Sequence, residues 1–183
     1  MESRTLATYL KQKAQSLQEA ATRRSSGEDW RDSIEATCVA NDATGVRKLR
    51  IGNWEAISDS GRDFGGWNLG PSSPELLCGV ISTCLTHTYL IAAATTNVPL
   101  ERVEVKVTAN NNDARFLGIE TSDPTKPFDM TAHVRVEAGE ATEAQIESLH
   151  GYVEERCPLT QLIREPGEIH FVREDGDRGE PSS

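Results

Sequence analysis

The stretch Leu76–Asn97 contains no charged side chain, and it constrains the fold more than any other part of the sequence. As a helix it would be long enough to cross a lipid bilayer. Polar side chains nevertheless recur along it, at Ser82, Thr83, Thr86, His87, Thr88, Thr95, Thr96 and Asn97. We therefore expect no membrane span here and predict a helix buried on most sides at the centre of a globular protein.

The composition narrows the class of protein. Hydrophobic residues make up 37% and charged residues 26% of the 183-residue chain, which predicts one soluble domain with its own core. A net charge of −10 leaves no basic stripe for phosphate groups, so we expect no nucleic-acid partner. The chain begins without a basic segment followed by an apolar one, so no secretory signal is expected. Because no Cys-x-x-Cys occurs, the four cysteines favour reactive thiols in the cytoplasm over a zinc site or an extracellular disulfide framework.

The sequence before the uncharged stretch predicts a helix and two or three strands. Apolar residues at helical spacing predict an amphipathic helix over Ser3–Thr22, followed by a linker that ends at Gly27. Alternating apolar residues predict a strand over Ser33–Ala40. A second strand or a bent pair is predicted over Val46–Ser58, with Gly52 in its turn or bulge. Residues 59–73 contain four glycines and predict a structured loop that leads into the central helix.

Further strands and a second helix are predicted after the uncharged stretch. The predicted strands lie around Val103–Val107, over Arg115–Thr121, over Met130–Glu137 and over Glu168–Val172. Thr142 followed by Gln145 has the capping-box pattern of a helix start. We therefore predict an α+β domain over residues 28–173, with helices over a mostly antiparallel sheet. Residues 1–27 are predicted to form an N-terminal helical extension and linker, and the acidic residues 174–183 are predicted to be disordered.

Two cysteines stand out as candidate reactive groups. Cys84 lies inside the uncharged helix, and Cys157 continues the apolar stripe of the later helix and directly precedes Pro158. Because proline suits the first position of a helix, Cys157 is predicted to cap a short helix that ends at Ile163. A buried thiol paired with a second thiol that only the fold can bring near is a natural arrangement for reducing a peroxide. The alternative for Cys157 is a small apolar core residue, which is also how we interpret Cys38 and Cys78.

Two motifs together resemble the OsmC/Ohr family, the osmotically induced stress proteins and organic hydroperoxide resistance proteins. The first is Gly70-Pro71-Ser72-Ser73-Pro74-Glu75-Leu76-Leu77, preceded by Gly65-Gly66 and followed by Cys84 nine positions after Glu75. The second is Cys157-Pro158-Leu159-Thr160. The likeness covers roughly residues 32–173. It implies an OsmC-like fold, an intertwined homodimer with active sites at the subunit interface, and reduction of organic hydroperoxides by a cysteine pair without metal or flavin. It also implies that a dithiol reductant, such as a lipoyl protein, restores the thiols.

The resemblance implies roles for four residues. Cys84 matches the peroxidatic cysteine, Cys157 the resolving cysteine, and Glu75 the glutamate of the Pro-x-x-Pro-Glu-Leu-Leu stretch. In the hydroperoxide-resistance branch an arginine from the first strands pairs with that glutamate and orients the thiolate. Arg47 is the best match to this arginine, and Arg50 is the second. The hydroperoxide-resistance branch has one more residue between the glutamate and the cysteine, which favours the broader OsmC-like group for this chain.

Helix geometry limits what these neighbours can do. On a continuous helix Glu75 lies on the side opposite Cys84 and about 13 Å away along the axis. Glu75 therefore serves the thiol only from a preceding loop, through a bend or from a partner subunit, and helix capping is the alternative. His87 follows Cys84 by one helical turn and shares its face, so one interpretation is that it supplies positive charge or a hydrogen-bond donor to the thiol. The alternative is a core histidine that is bonded to a backbone carbonyl. Trp67 lines an apolar peroxide pocket, or else packs in the core or a dimer interface.

Two functions remain open from the sequence. The first is a cysteine-based peroxidase in which Cys157 resolves a Cys84 sulfenic acid as a disulfide. The alternative is a non-catalytic OsmC-like stress protein that binds an apolar small molecule at the dimer interface. This second hypothesis is motivated by the shortened interval between Glu75 and Cys84, and by the fact that two arginines, Arg47 and Arg50, compete for the role of the arginine in the first strands.

Overall fold

A computed structural model describes residues 5–25, 27, 29–41 and 43–173. The acidic segment 174–183, predicted to be disordered, lies outside these residues. The helices and strands within the described ranges are, in chain order, α1 (Leu6–Ser25), β1 (Ala36–Val39), β2 (Arg47–Ile51), β3 (Trp54–Ser58), α2 (Ser73–Thr96), β4 (Arg102–Asn110), β5 (Phe128–Glu137), α3 (Glu143–Arg156) and α4 (Pro158–Arg164).

The strands form two separate antiparallel sheets, ordered β1-β2-β3 and β4-β5, where the sequence predicted one sheet. The α+β class and the antiparallel pairing are confirmed. Gly52 and Asn53 connect β2 to β3, as predicted, because Ile51 pairs directly with Trp54. Gly52 has φ of +55°, a backbone conformation that favours glycine at the first position of a tight hairpin turn.

The central helix α2 organises the core. It packs against β4, α1, α3 and α4, and its buried side chains include Ile81, Leu85, Tyr89, Ala92 and Ala93. By length and composition α2 could cross a membrane, but the core helix of a globular protein meets the same test. Its contacts with four other elements explain why it carries no charge between Leu76 and its end.

The helices α3 and α4 meet at Cys157. The predicted capping box is confirmed, because the Thr142 hydroxyl accepts from the Gln145 backbone N–H and the Thr142 N–H donates to the Gln145 side chain at 2.9 Å. Pro158 has no N–H to continue α3, so a new helix begins at that residue, also as predicted. Cys157 therefore ends one helix and caps the next.

Two predicted strands are wrong. A 3₁₀ turn at Ala114–Leu117 occupies the first part of the segment predicted as a strand over Arg115–Thr121. The Asn112 side chain stabilises this turn by accepting from the Ala114 N–H at 2.9 Å and donating to the Asp123 carboxylate at 2.7 Å. Residues 168–172 form no strand within the described part of the chain, where no neighbouring strand pairs with them.

The sheet β1-β2-β3 is largely uncovered in the single chain. Within its strands only Ser58 is buried. Cys38, predicted to lie in the core, is exposed on β1, and Cys78 on α2 is half-buried. Both predictions assumed that the chain itself covers these positions, and for the first sheet it does not.

Candidate active site

The fold brings Cys84 and Cys157 together. Their Sγ atoms lie 3.6 Å apart, although the two residues are 73 positions apart in the sequence. A disulfide bond measures about 2.05 Å, so the sulfurs are adjacent but unbonded and need only a small approach to join. Cys157 is fully buried, whereas Cys84 is half-buried. The prediction that the fold places the two thiols side by side is confirmed by this distance.

The buried stripe of α3 produces this contact. Leu149 and Val153 are almost completely buried and belong to the same core as the apolar face of α2. Cys157 continues the stripe by one turn and is anchored on both sides. Its N–H donates to the carbonyl of Val153 at 2.9 Å, and its carbonyl accepts from the N–H of Gln161 at 3.0 Å. The end of α3 therefore holds the Cys157 sulfur against the middle of α2.

The surroundings of Cys84 hold its thiol in the protonated form. Burial, the largest influence, raises the pKa of the Cys84 thiol above its ordinary value. The neighbouring Cys157 thiol raises this pKa further. The backbone N–H of Leu159 and the hydroxyl of Thr88 act in the opposite direction, but they do not outweigh burial.

The surroundings of Cys157 favour its thiolate. Burial also acts to raise the pKa of Cys157, but hydrogen bonds outweigh it and lower this pKa below its ordinary value. The hydroxyl and the backbone N–H of Thr160 contribute most, followed by Cys84 and Thr88. The pair therefore consists of a more acidic, buried sulfur and a less acidic sulfur that a small molecule can reach.

Glu75 caps the central helix in this chain. Its carboxylate accepts from the backbone N–H and from the hydroxyl of Ser72, each at 2.7 Å, and completes a capping box at the start of α2. These two hydrogen bonds lower the pKa of Glu75. Within a single chain this geometry corresponds to the capping alternative raised from the sequence.

Arg47 binds the loop that precedes α2. Its guanidinium donates to the Ser58 hydroxyl at 3.0 Å and to the Ser60 hydroxyl at 3.3 Å. Among the described residues Arg47 forms no ion pair with Glu75. Arg50, the second candidate, lies on β2 opposite Glu55.

Asp59 organises this loop, and sequence reasoning missed it. Its side chain is 1% exposed, and its carboxylate accepts from the backbone N–H groups of Ser60, Trp67 and Leu69 at 2.8 to 3.1 Å. The hydrogen bond from Leu69 comes first among the influences that lower the pKa of Asp59, followed by the one from Ser60. A lone aspartate at the start of a glycine-rich loop is the signal that could have identified it.

Two other predicted neighbours of the site are exposed in the single chain. His87 is exposed, and its Nε2 lies 3.2 Å from the Lys13 ammonium on α1, not against a backbone carbonyl. Partial burial and the charge of Lys13 lower the pKa of His87, so less of this side chain is protonated at pH 7 than in a free histidine. Trp67 is 65% exposed in the single chain. No group of three or more His, Cys, Asp or Glu side chains in the described ranges could hold a metal ion.

Comparisons with known proteins agree with the fold. A family model described as OsmC-like protein matches residues 65–171. No curated protein sequence matches this chain. Among solved structures, an OsmC-like protein from Mycoplasma pneumoniae is 14% identical, with a TM-score of 0.60 over 74% of this chain and 89% of that chain. An organic hydroperoxide resistance protein from Legionella pneumophila is 15% identical, with a TM-score of 0.55 over 75% of this chain and 93% of that one.

A third similar structure carries no assigned role. It is an OsmC-like protein of unknown function from Vibrio cholerae, 11% identical, with a TM-score of 0.59 over 72% of this chain and 93% of that chain. At these identities the likeness establishes the fold and not the chemistry.

Proposed function

The chain belongs to the family of OsmC-like proteins, whose model matches more than half of its length, and we propose that it reduces organic hydroperoxides through Cys84 and Cys157. The observation that carries this proposal is the 3.6 Å contact between a reachable sulfur and a buried one. Two free thiols at this distance have few structural advantages over two apolar side chains, but they provide the two electrons that cleave a peroxide bond.

The proposed reaction has two steps that balance. The Cys84 thiolate attacks the terminal oxygen of the hydroperoxide, so an S–O bond forms, the O–O bond breaks, and the alkoxide takes up a proton and leaves as an alcohol. The Cys157 thiolate then attacks the Cys84 sulfur. An S–S bond forms, the S–O bond breaks, and hydroxide takes up a proton and leaves as water. An external dithiol restores both thiols by exchange, which requires a reducing compartment such as the cytoplasm.

The assignment of the first step to Cys84 follows from access. Cys157 is fully buried, so a hydroperoxide cannot reach its sulfur without displacing neighbours. Cys84 is half-buried and therefore within reach. The lowered pKa of Cys157 makes it an effective second nucleophile, because the thiolate is the attacking form.

The same proposal includes a homodimer. The sheet β1-β2-β3 leaves the apolar side chains Ile51, Trp54 and Ile57 exposed in the single chain. On α2 the uncharged residues Gly79, Val80 and Thr83 are exposed as well. Uncovered apolar surface on a sheet and on a core helix is typical of a subunit interface. A monomeric mass in size-exclusion chromatography with light scattering at micromolar protein would reject the dimer.

In the proposed reaction Glu75 and Arg47 can act on the thiols only across the dimer interface. Within one chain the first caps α2 and the second binds the loop, so a second copy would have to supply them to the thiols. We expect Arg47→Ala to slow the first oxidation of Cys84 if the dimer stays intact. An unchanged rate in a dimeric variant would remove Arg47 from the site.

Peptide mass spectrometry tests the central claim directly. One equivalent of t-butyl hydroperoxide added to reduced protein should produce a disulfide between Cys84 and Cys157. Cys84→Ser should abolish hydroperoxide consumption, while Cys38→Ser, at an exposed position on β1, should leave it unchanged. Unmodified thiols after this treatment would reject the peroxidase.

A second candidate function is the binding of an apolar small molecule. It is favoured by the loop after Asp59, which exposes Phe64, Trp67 and Leu69 to 47%, 65% and 59% while the buried carboxylate holds its backbone in place. An apolar compound that co-purifies with the protein, together with slow and unselective thiol oxidation, would favour binding over catalysis.

A further inference from the structure

Among the described side chains, two hydrogen-bonding contacts join α2 to α3 and its cap Cys157. One is the contact between the sulfurs of Cys84 and Cys157. The other lies between Tyr89 on α2 and His150 on α3, with 2.7 Å between the tyrosine hydroxyl oxygen and Nδ1 of the histidine. The two rings also meet edge to face, with their centroids 5.6 Å apart and their planes at 81°. Tyr89 and His150 therefore form a second link across the interface that carries the thiol pair.

The link between Tyr89 and His150 is held in place by burial. Tyr89 is 3% exposed, and His150 is half-buried. Burial, followed by the charge of Glu154, raises the pKa of Tyr89 to about 12, so its hydroxyl is neutral at physiological pH. A neutral hydroxyl can donate to Nδ1 or accept from it, so the hydrogen bond forms with either tautomer of His150. Because a buried hydroxyl without a partner costs free energy, separating the two side chains is unfavourable.

The spacing along both helices relates this link to the sulfurs. Tyr89 follows Cys84 by five residues, about 7.5 Å along α2. His150 precedes Cys157 by seven residues, about two helical turns and about 10.5 Å along α3. Because one interval runs forward and the other backward, the two helices are antiparallel along this interface. A displacement of α3 along α2 that separates the sulfurs would therefore also break the bond between Tyr89 and His150.

The apolar contacts between these helices fix their register less sharply. Leu85 on α2 and Leu149 and Val153 on α3 belong to one core, and apolar contacts are non-directional. A disulfide needs its two sulfurs about 2.05 Å apart within a narrow range of dihedral angles, so small displacements of either helix matter. A directional hydrogen bond between the same two helices supplies the restraint that apolar packing lacks.

We propose that Tyr89 and His150 are positioning residues whose hydrogen bond holds α3 in the register that brings the two sulfurs together. This inference rests on the proposed peroxidase, in which Cys157 must reach the oxidised sulfur of Cys84. In the described part of the chain neither side chain hydrogen-bonds to a sulfur, so both act through the helices that carry them. The link should speed the closure of the disulfide and leave the first attack of Cys84 on the hydroperoxide unchanged.

Thiol–disulfide exchange with glutathione tests this role without any hydroperoxide. Oxidised glutathione takes two electrons from the thiol pair, so that one protein disulfide and two molecules of reduced glutathione form. The ratio of the two protein forms, measured by peptide mass spectrometry after acid quenching, gives the equilibrium constant for closing the disulfide between Cys84 and Cys157. Tyr89→Phe removes the hydroxyl and keeps the ring, so this constant should fall by about threefold to tenfold, up to the net contribution of one hydrogen bond.

His150 provides a second variant and a rescue. His150→Leu removes the partner of the hydroxyl and should lower the same equilibrium constant as far as Tyr89→Phe does. The double variant should fall no further than either single variant, because both changes remove one and the same hydrogen bond. His150→Asn places an amide oxygen near the position of Nδ1 and should restore much of the wild-type constant.

Tyr152→Phe provides a matched control. Tyr152 lies half-buried on α3, with its ring under the guanidinium of Arg156 at 4.4 Å. Its hydroxyl makes no hydrogen bond to a described residue, so its removal should leave the equilibrium constant unchanged. Circular dichroism melts separate positioning from stability, because a loss of stability alone lowers Tm without changing the exchange equilibrium of the folded protein.

Equal equilibrium constants in wild type, Tyr89→Phe and His150→Leu would overturn the positioning role. A constant lowered in one of these variants alone would also overturn it, because the hydrogen bond needs both partners. The peroxidase would survive either result if t-butyl hydroperoxide still produces the disulfide. A constant lowered in both variants, together with thiols that the hydroperoxide leaves unmodified, would support the positioning role and reject the peroxidase. The two proposals therefore fail separately.

Discussion

Cys157 lies fully buried against Cys84 with 3.6 Å between their sulfurs, and the two thiols have pKa values shifted in opposite directions. The reachable thiol is the less acidic member of the pair, and the buried thiol is the more acidic one. The sulfur that a hydroperoxide can reach is therefore not the more acidic sulfur. This difference determines how the rate of each step should respond to pH and to mutation.

The pH dependence of the first oxidation is the most direct consequence. Because burial raises the pKa of Cys84, its thiolate fraction should still be increasing above pH 8.5, the ordinary value for cysteine. We expect the single-turnover rate with t-butyl hydroperoxide, followed by rapid-quench peptide analysis, to rise from pH 7 through pH 9. A plateau reached below pH 8 would contradict the raised pKa.

Removal of the buried thiol should separate the two steps. In Cys157→Ser the first oxidation of Cys84 proceeds, but no second sulfur is available to form the disulfide. Intact-protein mass spectrometry should show one added oxygen after one equivalent of hydroperoxide, and two or three added oxygens with excess. Complete catalytic turnover in Cys157→Ser with a dithiol reductant would show that resolution does not need Cys157.

The loop before α2 should tolerate no side chain at Gly66. A Cβ there would lie 2.0 Å from the backbone oxygen of Ser60, so the loop backbone would have to shift. We expect Gly66→Ala to lower the free energy of unfolding by about 1–3 kcal/mol in chemical denaturation. Gly61→Ala is the matched control on the same loop, because its Cβ meets no atom within 4 Å. Equal stability of the two variants would mean that the loop relaxes freely.

Asp59 should contribute stability that is lost in acid. Its pKa is lowered in the folded state, first by the N–H of Leu69, so its contribution is present above the unfolded-state pKa near 4 and disappears as the pH falls through the lower folded-state value. Asp59→Asn should lower Tm at pH 7, and the gap to wild type should narrow below pH 4. Circular dichroism melts from pH 2 to 7 measure this.

Asp63→Asn is the control for this comparison. Asp63 belongs to the same loop but is exposed to solvent. Its substitution should shift Tm little at any of these pH values. If the two variants behave alike across the range, the buried carboxylate has no special role in holding the loop.

Local rules predict that each thiol lies on a buried helix face, whereas the contact between the two across 73 positions was expected from the chemistry of a thiol pair and from the family resemblance. Pro158 must interrupt a helix, and the apolar spacing through Leu149 and Val153 places Cys157 on a buried stripe. The absence of charge on α2 requires a central position for Cys84. The proline, the apolar spacing and the absence of charge are all features of short segments, and all of them predict buried positions for the two cysteines.

The surroundings of the pair were harder to predict because they depend on contacts distant in sequence. Arg47 lies against Ser58 and Ser60 because Asp59 folds the loop back, and Asp59 does so by accepting from backbone N–H groups up to ten residues further along the chain. The shift from a strand to a 3₁₀ turn after Asn112 likewise depends on hydrogen bonds to Asp123. Cys38 is exposed because the described part of the chain leaves the first sheet largely uncovered, which the alternating pattern of β1 does not reveal.

The three-stranded sheet β1-β2-β3 has a consequence for how the protein acquires its structure. Only Ser58 is buried within its strands, so forming this sheet removes little apolar surface from water and gains little free energy by itself. In the proposed homodimer the partner subunit would supply the missing stabilisation, and we expect the melting temperature to rise with protein concentration. Association would then complete the folding of each subunit instead of joining two finished ones.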